Sequence, residues 1–243
     1  MNLVFSVQNL FTSHVQLSNL YSALVRSDGG RSLRRESQDA EFLLDGFPRS
    51  GNTFASHVVR MSFPDAKFIH HFHNVAALKA AKKKGLPRFV FLRDPKEAVS
   101  SLLLLHEELR SKFRFYPAFM RSDSFRIDLY LRRYRAFYRY VSGDRSTVII
   151  PSQKLFESPS DLIKRVSEAI SREPADTVGS EGGGGEDYFQ RKESQSSNRP
   201  LSSGVPNREK QIRKHEIVEL MYKNKNLADA LQVYRSLLDR AEG

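Results

Sequence analysis

A phosphate-binding loop is indicated by residues 46–53, which read GFPRSGNT and follow an apolar run. They match the pattern GxxxxGK[ST] at each defined position but one, where Asn52 takes the place of the lysine. Such a loop leaves a strand and enters a helix, so backbone N–H groups and the positive helix end converge on a phosphate. Kinases and ATPases use that lysine for the β- and γ-phosphates. The sequence therefore predicts a nucleotide without a 5′-triphosphate, with Arg49 as the cation of the loop.

A second anion-binding element is predicted at residues 88–101. The segment RFVFLRD indicates a buried strand that ends in a charged pair, and Pro95 then begins a helical run. Arg93 is therefore expected at the carboxyl end of a strand, where open α/β sheets bind their ligands. The first turn of the following helix has N–H groups without an intrahelical partner, which also favours an anion.

A general base is suggested by three clustered histidines, His70, His71 and His73. Histidine changes its protonation near neutral pH and is the most common catalytic base. The pattern HHxH is also compatible with a transition metal. However, the chain has no cysteine, and no nearby run of carboxylates completes a ligand set. At least one of the three histidines is expected to serve only packing or hydrogen bonding.

The elements that position these groups alternate along the chain. Strands are predicted at residues 41–47, 66–70, 88–93 and 146–151, and helices at 52–61, 75–84, 96–109 and 125–141. Apolar strands separated by helices indicate a parallel sheet covered on both faces. The predicted fold class is α/β, a three-layer α/β/α arrangement with a central parallel sheet, like that of the P-loop NTPases.

The chain is predicted to form a single domain over its 243 residues. It would comprise a helical N-terminal extension at 1–40, a mobile Gly- and Ser-rich loop at 174–207, and C-terminal helices within 208–240. Asn226 is the expected N-cap of the last helix. No stretch reaches the length of a membrane span and the N-terminus lacks a signal-peptide pattern, which together predict a cytoplasmic protein.

The loop and the arginine element together resemble the PAPS-dependent sulfotransferases. That family carries a loop of the form YPKSGTTW for the 5′-phosphosulfate of 3′-phosphoadenosine 5′-phosphosulfate (PAPS), and a later element RxPxxxxxS for the 3′-phosphate. This chain has FPRSGNTF and RDPKEAVSS, with the family's spacing between Arg93 and Ser101. The resemblance covers about residues 41–170.

The resemblance implies a role for each matching residue. Arg49 takes the position of the loop lysine that stabilises the leaving 5′-phosphate, as arginine does in some carbohydrate-modifying members, and Phe54 takes that of a tryptophan beside the adenine. Arg93 and Ser101 would bind the 3′-phosphate. The other residues implied in donor binding are Ser50, Gly51, Asn52 and Thr53 in the phosphate loop and Arg191 and Lys192 in the mobile loop.

The catalytic histidine of the family lies between these two elements, and two residues fit its position. Matching the family's Thr-His pair favours His73, whereas the distance to the arginine favours His71. No metal is needed, because sulfuryl transfer relies on positioning and charge stabilisation. The product would be adenosine 3′,5′-bisphosphate (PAP). The acceptor would be a hydroxyl or amine of a carbohydrate, a lipid or a small molecule.

Two other classes of function are weighed against this one. A P-loop kinase would need Mg²⁺ and a metal-holding carboxylate, for which Asp94 is the best candidate, but Asn52 argues against it. A net charge of +11 suggests nucleic-acid binding, yet no motif with interleaved base-stacking residues accompanies the basic runs. No nucleic-acid partner is therefore expected. The charge suits a donor with phosphates at both ends of its adenosine and an acidic acceptor.

Overall fold

The computed structural model describes residues 33–110, 122–175 and 208–243. Most of the predicted N-terminal extension and almost all of the predicted mobile loop, with Arg191 and Lys192, lie outside these ranges. Among the helices that are described, none is long and apolar enough to cross a membrane.

Four strands and nine helices make up the described part of the chain. The strands are β1 Phe42–Gly46, β2 Phe68–His70, β3 Arg88–Leu92 and β4 Thr147–Pro151. The helices are α1 Leu33–Glu36, α2 Asn52–Ser62, α3 Val75–Lys83, α4 Pro95–Arg110, α5 Asp123–Ser142, α6 Ser152–Glu157, α7 Pro159–Ile170, α8 Arg208–Tyr222 and α9 Asn226–Glu242.

The four strands form one parallel sheet in the order β2-β1-β3-β4. This confirms the predicted α/β class with a parallel sheet. Because the strands are parallel, the segments that follow them all leave from one edge. At that edge the β2–α3 segment lies on one side of the β1–α2 loop, and the segments after β3 and β4 lie on the other.

Side chains of the strands enter two separate cores, one on each face of the sheet. Leu43 and Val90 pack with α3, α4, α5 and the C-terminal helices, whereas Phe42 and Phe89 pack with α2, α6 and α7. The alternation follows from the two-residue period of a strand, and burial on both faces explains the continuous apolar runs. Helices on both faces fit a three-layer α/β/α arrangement.

Polar contacts hold the last helix, α9, against β4 and α5. The guanidinium of Arg240 donates to the carbonyls of Val141 and Thr147 at 3.3 and 2.9 Å. The prediction that Asn226 caps α9 is wrong, because Asn226 lies in the helix and its Nδ2 donates to Asp128 Oδ1 at 2.6 Å. The side-chain amide of Asn226, which the sequence pattern assigns to capping, is used instead in a tertiary hydrogen bond with Asp128.

A half-buried histidine on α4 links stability to pH. His106 is hydrogen-bonded to the Tyr130 hydroxyl at 2.8 Å, and burial, with the charges of Arg126 and Arg133, lowers its pKa from 6.5 to about 4. As the pH falls from 6.5 towards 4, His106 therefore becomes protonated in the unfolded chain but stays neutral in the folded chain. Stability is highest above this window, and we expect His106 to account for a loss of roughly 2 kcal/mol by pH 5.

Urea unfolding at about pH 7.5 and about pH 5 measures this effect. The variant His106→Asn has no group that titrates at this position and should lose less stability between the two pH values than the unmodified protein. Equal losses in the two proteins would contradict the assignment.

Candidate functional site

The loop between β1 and α2 is held in shape by its own polar groups. The Ser50 N–H and Asn52 Nδ2 both donate to the Phe47 carbonyl, at 3.2 and 3.1 Å. Gly51 has a φ of 93°, and a Cβ there would lie 2.9 Å from Leu155, so glycine is required by both conformation and space. Asn52 therefore closes the turn, and its side chain does not take the outward role of a P-loop lysine.

Two buried hydroxyls anchor the loop to the neighbouring strands. The Tyr138 hydroxyl accepts from the Phe47 N–H at 3.3 Å and donates to the Phe91 carbonyl at 2.5 Å. Ser152 Oγ lies 2.9 Å from the Ser50 carbonyl, to which it donates. Burial raises the pKa of Tyr138, so it stays a neutral donor. No local sequence pattern marks either residue as an anchor of the loop, because Tyr138 and Ser152 lie 88 and 102 positions from Ser50.

Ser50, one of the predicted phosphate-binding residues, makes its own contacts within the protein. Its side chain is fully buried, its hydroxyl lies 3.4 Å from that of Tyr138, and its N–H is used within the turn. The structure assigns Ser50 to holding the loop. The N–H groups of the first turn of α2 have no acceptor within the helix, so they are the donors at this end of the loop.

The two predicted anion-binding elements meet at Arg49. Arg93 Nη1 donates to the Arg49 carbonyl at 2.8 Å, and Arg49 Nε donates to Ser101 Oγ at 2.9 Å. The Tyr134 hydroxyl donates to the Arg93 carbonyl at 2.6 Å and so holds the end of β3 in place. The pairing of β1 with β3 brings these residues together across separations of 44 and 52 positions.

His73 is oriented by groups at the end of β1. Its N–H donates to Asp45 Oδ2 at 2.8 Å, and its Nδ1 lies 2.8 Å from the Gly46 carbonyl and 3.1 Å from Asp45 Oδ1. Carbonyl and carboxylate oxygens only accept, so Nδ1 carries the hydrogen and Nε2 is the accepting nitrogen of the neutral ring. The Asp45 side chain is inaccessible to solvent, whereas that of His73 is 21% exposed.

His70 and His71 are linked in a different pattern. Arg60 donates to His70 Nε2 at 2.9 Å, so the hydrogen of a neutral His70 lies on Nδ1, which contacts His71 Nδ1 at 2.5 Å. His71 then accepts at Nδ1 and donates from Nε2 to Thr53 Oγ1 at 3.3 Å. The Nε2 atom of His71 therefore donates to the loop, whereas the Nε2 atom of His73 is an acceptor.

Backbone strain is concentrated around the same loops. Among the described residues, four other than glycine have a positive φ, and three of these are Arg49, His71 and His73, at 70°, 60° and 55°. Each such conformation costs on the order of 1–3 kcal/mol and persists only where the surroundings enforce it. Such strain is typical of functional sites.

A cavity of about 440 Å³ opens beside Arg93, at the carboxyl ends of β3 and β4. Helices α4, α6 and α9 form its walls, and Phe156 contributes an aromatic ring that is 39% exposed. Phe54, which the resemblance places beside an adenine, is only 3% exposed and packs against Phe156 with ring centroids 5.1 Å apart. The ring at the cavity wall is thus that of Phe156, supported by Phe54.

Two features bear on metal binding. Asp94 Oδ1 accepts from the Lys96 N–H at 2.7 Å and so caps the start of α4. Within the described ranges, no three histidine or acidic side chains converge as ligands of a metal ion.

The described residues form an α/β protein in which the loop between β1 and α2 lies at the carboxyl edge of a parallel sheet. No protein-family model, curated protein or solved structure matches the chain.

Proposed function

We propose that this protein is a sulfotransferase that moves a sulfuryl group from PAPS to a hydroxyl or amine acceptor, on a fold of the P-loop NTPase type. The observation that carries the proposal is the order of groups along the sheet edge. His73 lies on the β2 side of the phosphate loop, and Arg93 and the cavity lie on the β3 side. An in-line transfer needs this order, because the acceptor must approach the sulfur from the side opposite the leaving nucleotide.

The groups along the sheet edge define one orientation for bound PAPS. Its 5′-phosphate would lie at the first turn of α2, beside Arg49, and its 3′-phosphate at Arg93, directly after β3. Its adenosine would enter the cavity, whose volume of about 440 Å³ falls within the usual range for small-molecule sites. Phe156 would offer its ring to the base.

The chemistry then follows from the groups on either side of the loop. The acceptor oxygen or nitrogen attacks sulfur, and the bond between sulfur and the bridging oxygen of the 5′-phosphate breaks. His73 Nε2 takes the acceptor's proton, and buried Asp45 stabilises the imidazolium that forms. Arg49 stabilises the negative charge that the leaving phosphate gains.

His73 is preferred to His71 as the base because of hydrogen-bond direction. Asp45 and Gly46 leave the accepting nitrogen of His73 at Nε2, whereas His71 donates from Nε2 to Thr53. We propose that His71 and His70 hold Thr53 and the end of β2 in place.

The kinase alternative receives less support from the same geometry. The side chain of Asn52 is used to close the loop, and Asp94 is used to cap α4. A phosphoryl donor with three phosphates would lack the lysine that normally reaches its β- and γ-phosphates.

Calorimetric titration of the purified protein tests the proposal directly. In EDTA we expect PAP to bind at least about tenfold more tightly than AMP, since only PAP has a 3′-phosphate for Arg93. ATP with Mg²⁺ is titrated in parallel. Preference for ATP that depends on Mg²⁺ would favour the kinase alternative, and failure of the protein to bind PAP would overturn the sulfotransferase proposal.

A further inference from the structure

One carboxylate oxygen beside the cavity is shared by two cations from distant parts of the chain. Glu97 Oε2 lies 3.3 Å from Arg93 Nη2 and 2.6 Å from Lys214 Nζ. Glu97 lies in the first turn of α4 and Lys214 lies on α8, which packs against α4. Arg93 and Glu97 both line the cavity, and the three side chains are 26–43% exposed.

Charge balance at this point depends on Glu97. Burial alone would raise the pKa of Glu97, but hydrogen bonds and charges from Lys214 and Arg93 outweigh burial and lower it. The carboxylate is therefore ionised at neutral pH. It occupies the position where an anion would meet both cations at once.

We propose that Lys214 is a second cation for the 3′-phosphate of the donor and that Glu97 holds its place until the donor arrives. This inference rests on the proposed function and adds a residue to it. A phosphate has more charge than a carboxylate and three acceptor oxygens, so it replaces Glu97 between the two cations. The side chain of Glu97 is 43% exposed, which lets it turn to water without burying a charge.

The arrangement also predicts selectivity. A nucleotide that lacks a 3′-phosphate has no anion that could replace the carboxylate of Glu97. Glu97 then stays paired with Arg93 and Lys214. Lys214 should therefore contribute to the binding of PAP and not to that of AMP.

The test compares two lysines on the same helix. Lys214→Met removes the proposed cation, and Lys210→Met removes one that pairs with Glu108 at 2.6 Å. In calorimetric titrations we expect Lys214→Met to weaken PAP binding about tenfold or more and to leave AMP binding within about twofold. Lys210→Met should leave both nearly unchanged.

A third variant is expected to bind PAP more tightly than the unmodified protein does. Glu97→Gln keeps the shape of the side chain but removes the competing charge, so PAP binding should tighten about threefold to tenfold. Because this is a gain in affinity, partial misfolding cannot imitate it. Circular dichroism and the melting temperature of each variant show whether the fold is retained.

The outcomes separate this inference from the proposed function. If unmodified protein does not bind PAP, the sulfotransferase proposal fails. If PAP binds and depends on Arg93 but Lys214→Met has no effect, only the inference fails, and the contact between Lys214 and Glu97 is structural. Equal weakening of PAP and AMP by Lys214→Met would likewise overturn it.

Discussion

Replacing His73 by asparagine should lower the turnover number about 10²–10⁴-fold while PAP affinity stays within about twofold. Asparagine is the sharpest substitution because its amide nitrogen can still donate to Asp45 and the Gly46 carbonyl, as Nδ1 does. Only Nε2, the proposed proton acceptor, is lost. The loss therefore reports on proton transfer rather than on the shape of the loop.

The measurement is transfer of a radiolabelled sulfuryl group from PAPS to a panel of phenols, amines and sugars. The acceptor that the unmodified protein uses best is then used for the variants. His71→Asn is the matched control, and we expect it to reduce turnover only a few-fold, about a tenth of the effect at His73 or less. A large loss in His71→Asn with little loss in His73→Asn would reverse the assignment of the base.

Replacing Arg93 by alanine should weaken PAP binding about 100-fold, which corresponds to nearly 3 kcal/mol. Arg93 acts in two ways in the proposed complex. Its guanidinium would pair with the 3′-phosphate, and its Nη1 donates to the Arg49 carbonyl, which holds the phosphate loop in shape. Loss of the first role affects PAP alone, whereas loss of the second affects every nucleotide that uses the loop.

AMP separates these two roles. We expect Arg93→Ala to weaken AMP binding only about threefold, because the turn of the loop is also held by Asn52 and Tyr138. Arg172→Ala, which removes a half-exposed arginine paired with Glu41, is the control for loss of positive charge. Unchanged PAP binding in Arg93→Ala would rule out the proposed 3′-phosphate site.

Much of the secondary structure could be predicted from local patterns. The strand predicted at 88–93 is β3 Arg88–Leu92, and the helix predicted at 75–84 is α3 Val75–Lys83. Apolar periodicity is a local property that burial on one or two faces imposes, so it can be read from a short window. The strand predicted at 66–70 is only Phe68–His70, because pairing with β1 extends over three residues.

The sequence by itself determined which residues are able to do chemistry here. The loop at 46–53, the pair Arg93 and Ser101, and the histidine cluster are recognisable because residue type and spacing are local facts. Their grouping at one sheet edge also follows from the alternation of strands and helices. No local pattern, however, indicates how their hydrogen bonds are directed.

Only the tertiary structure decided which nitrogen of each histidine accepts and which cations face each other. Asp45 orients His73 because β1 and β2 are neighbours in the sheet, and Lys214 meets Glu97 because α8 packs against α4. These contacts join residues 28 and 117 positions apart. Hydrogen bonds and ion pairs act over a few ångströms, so such partners become defined only once packing has brought distant elements together.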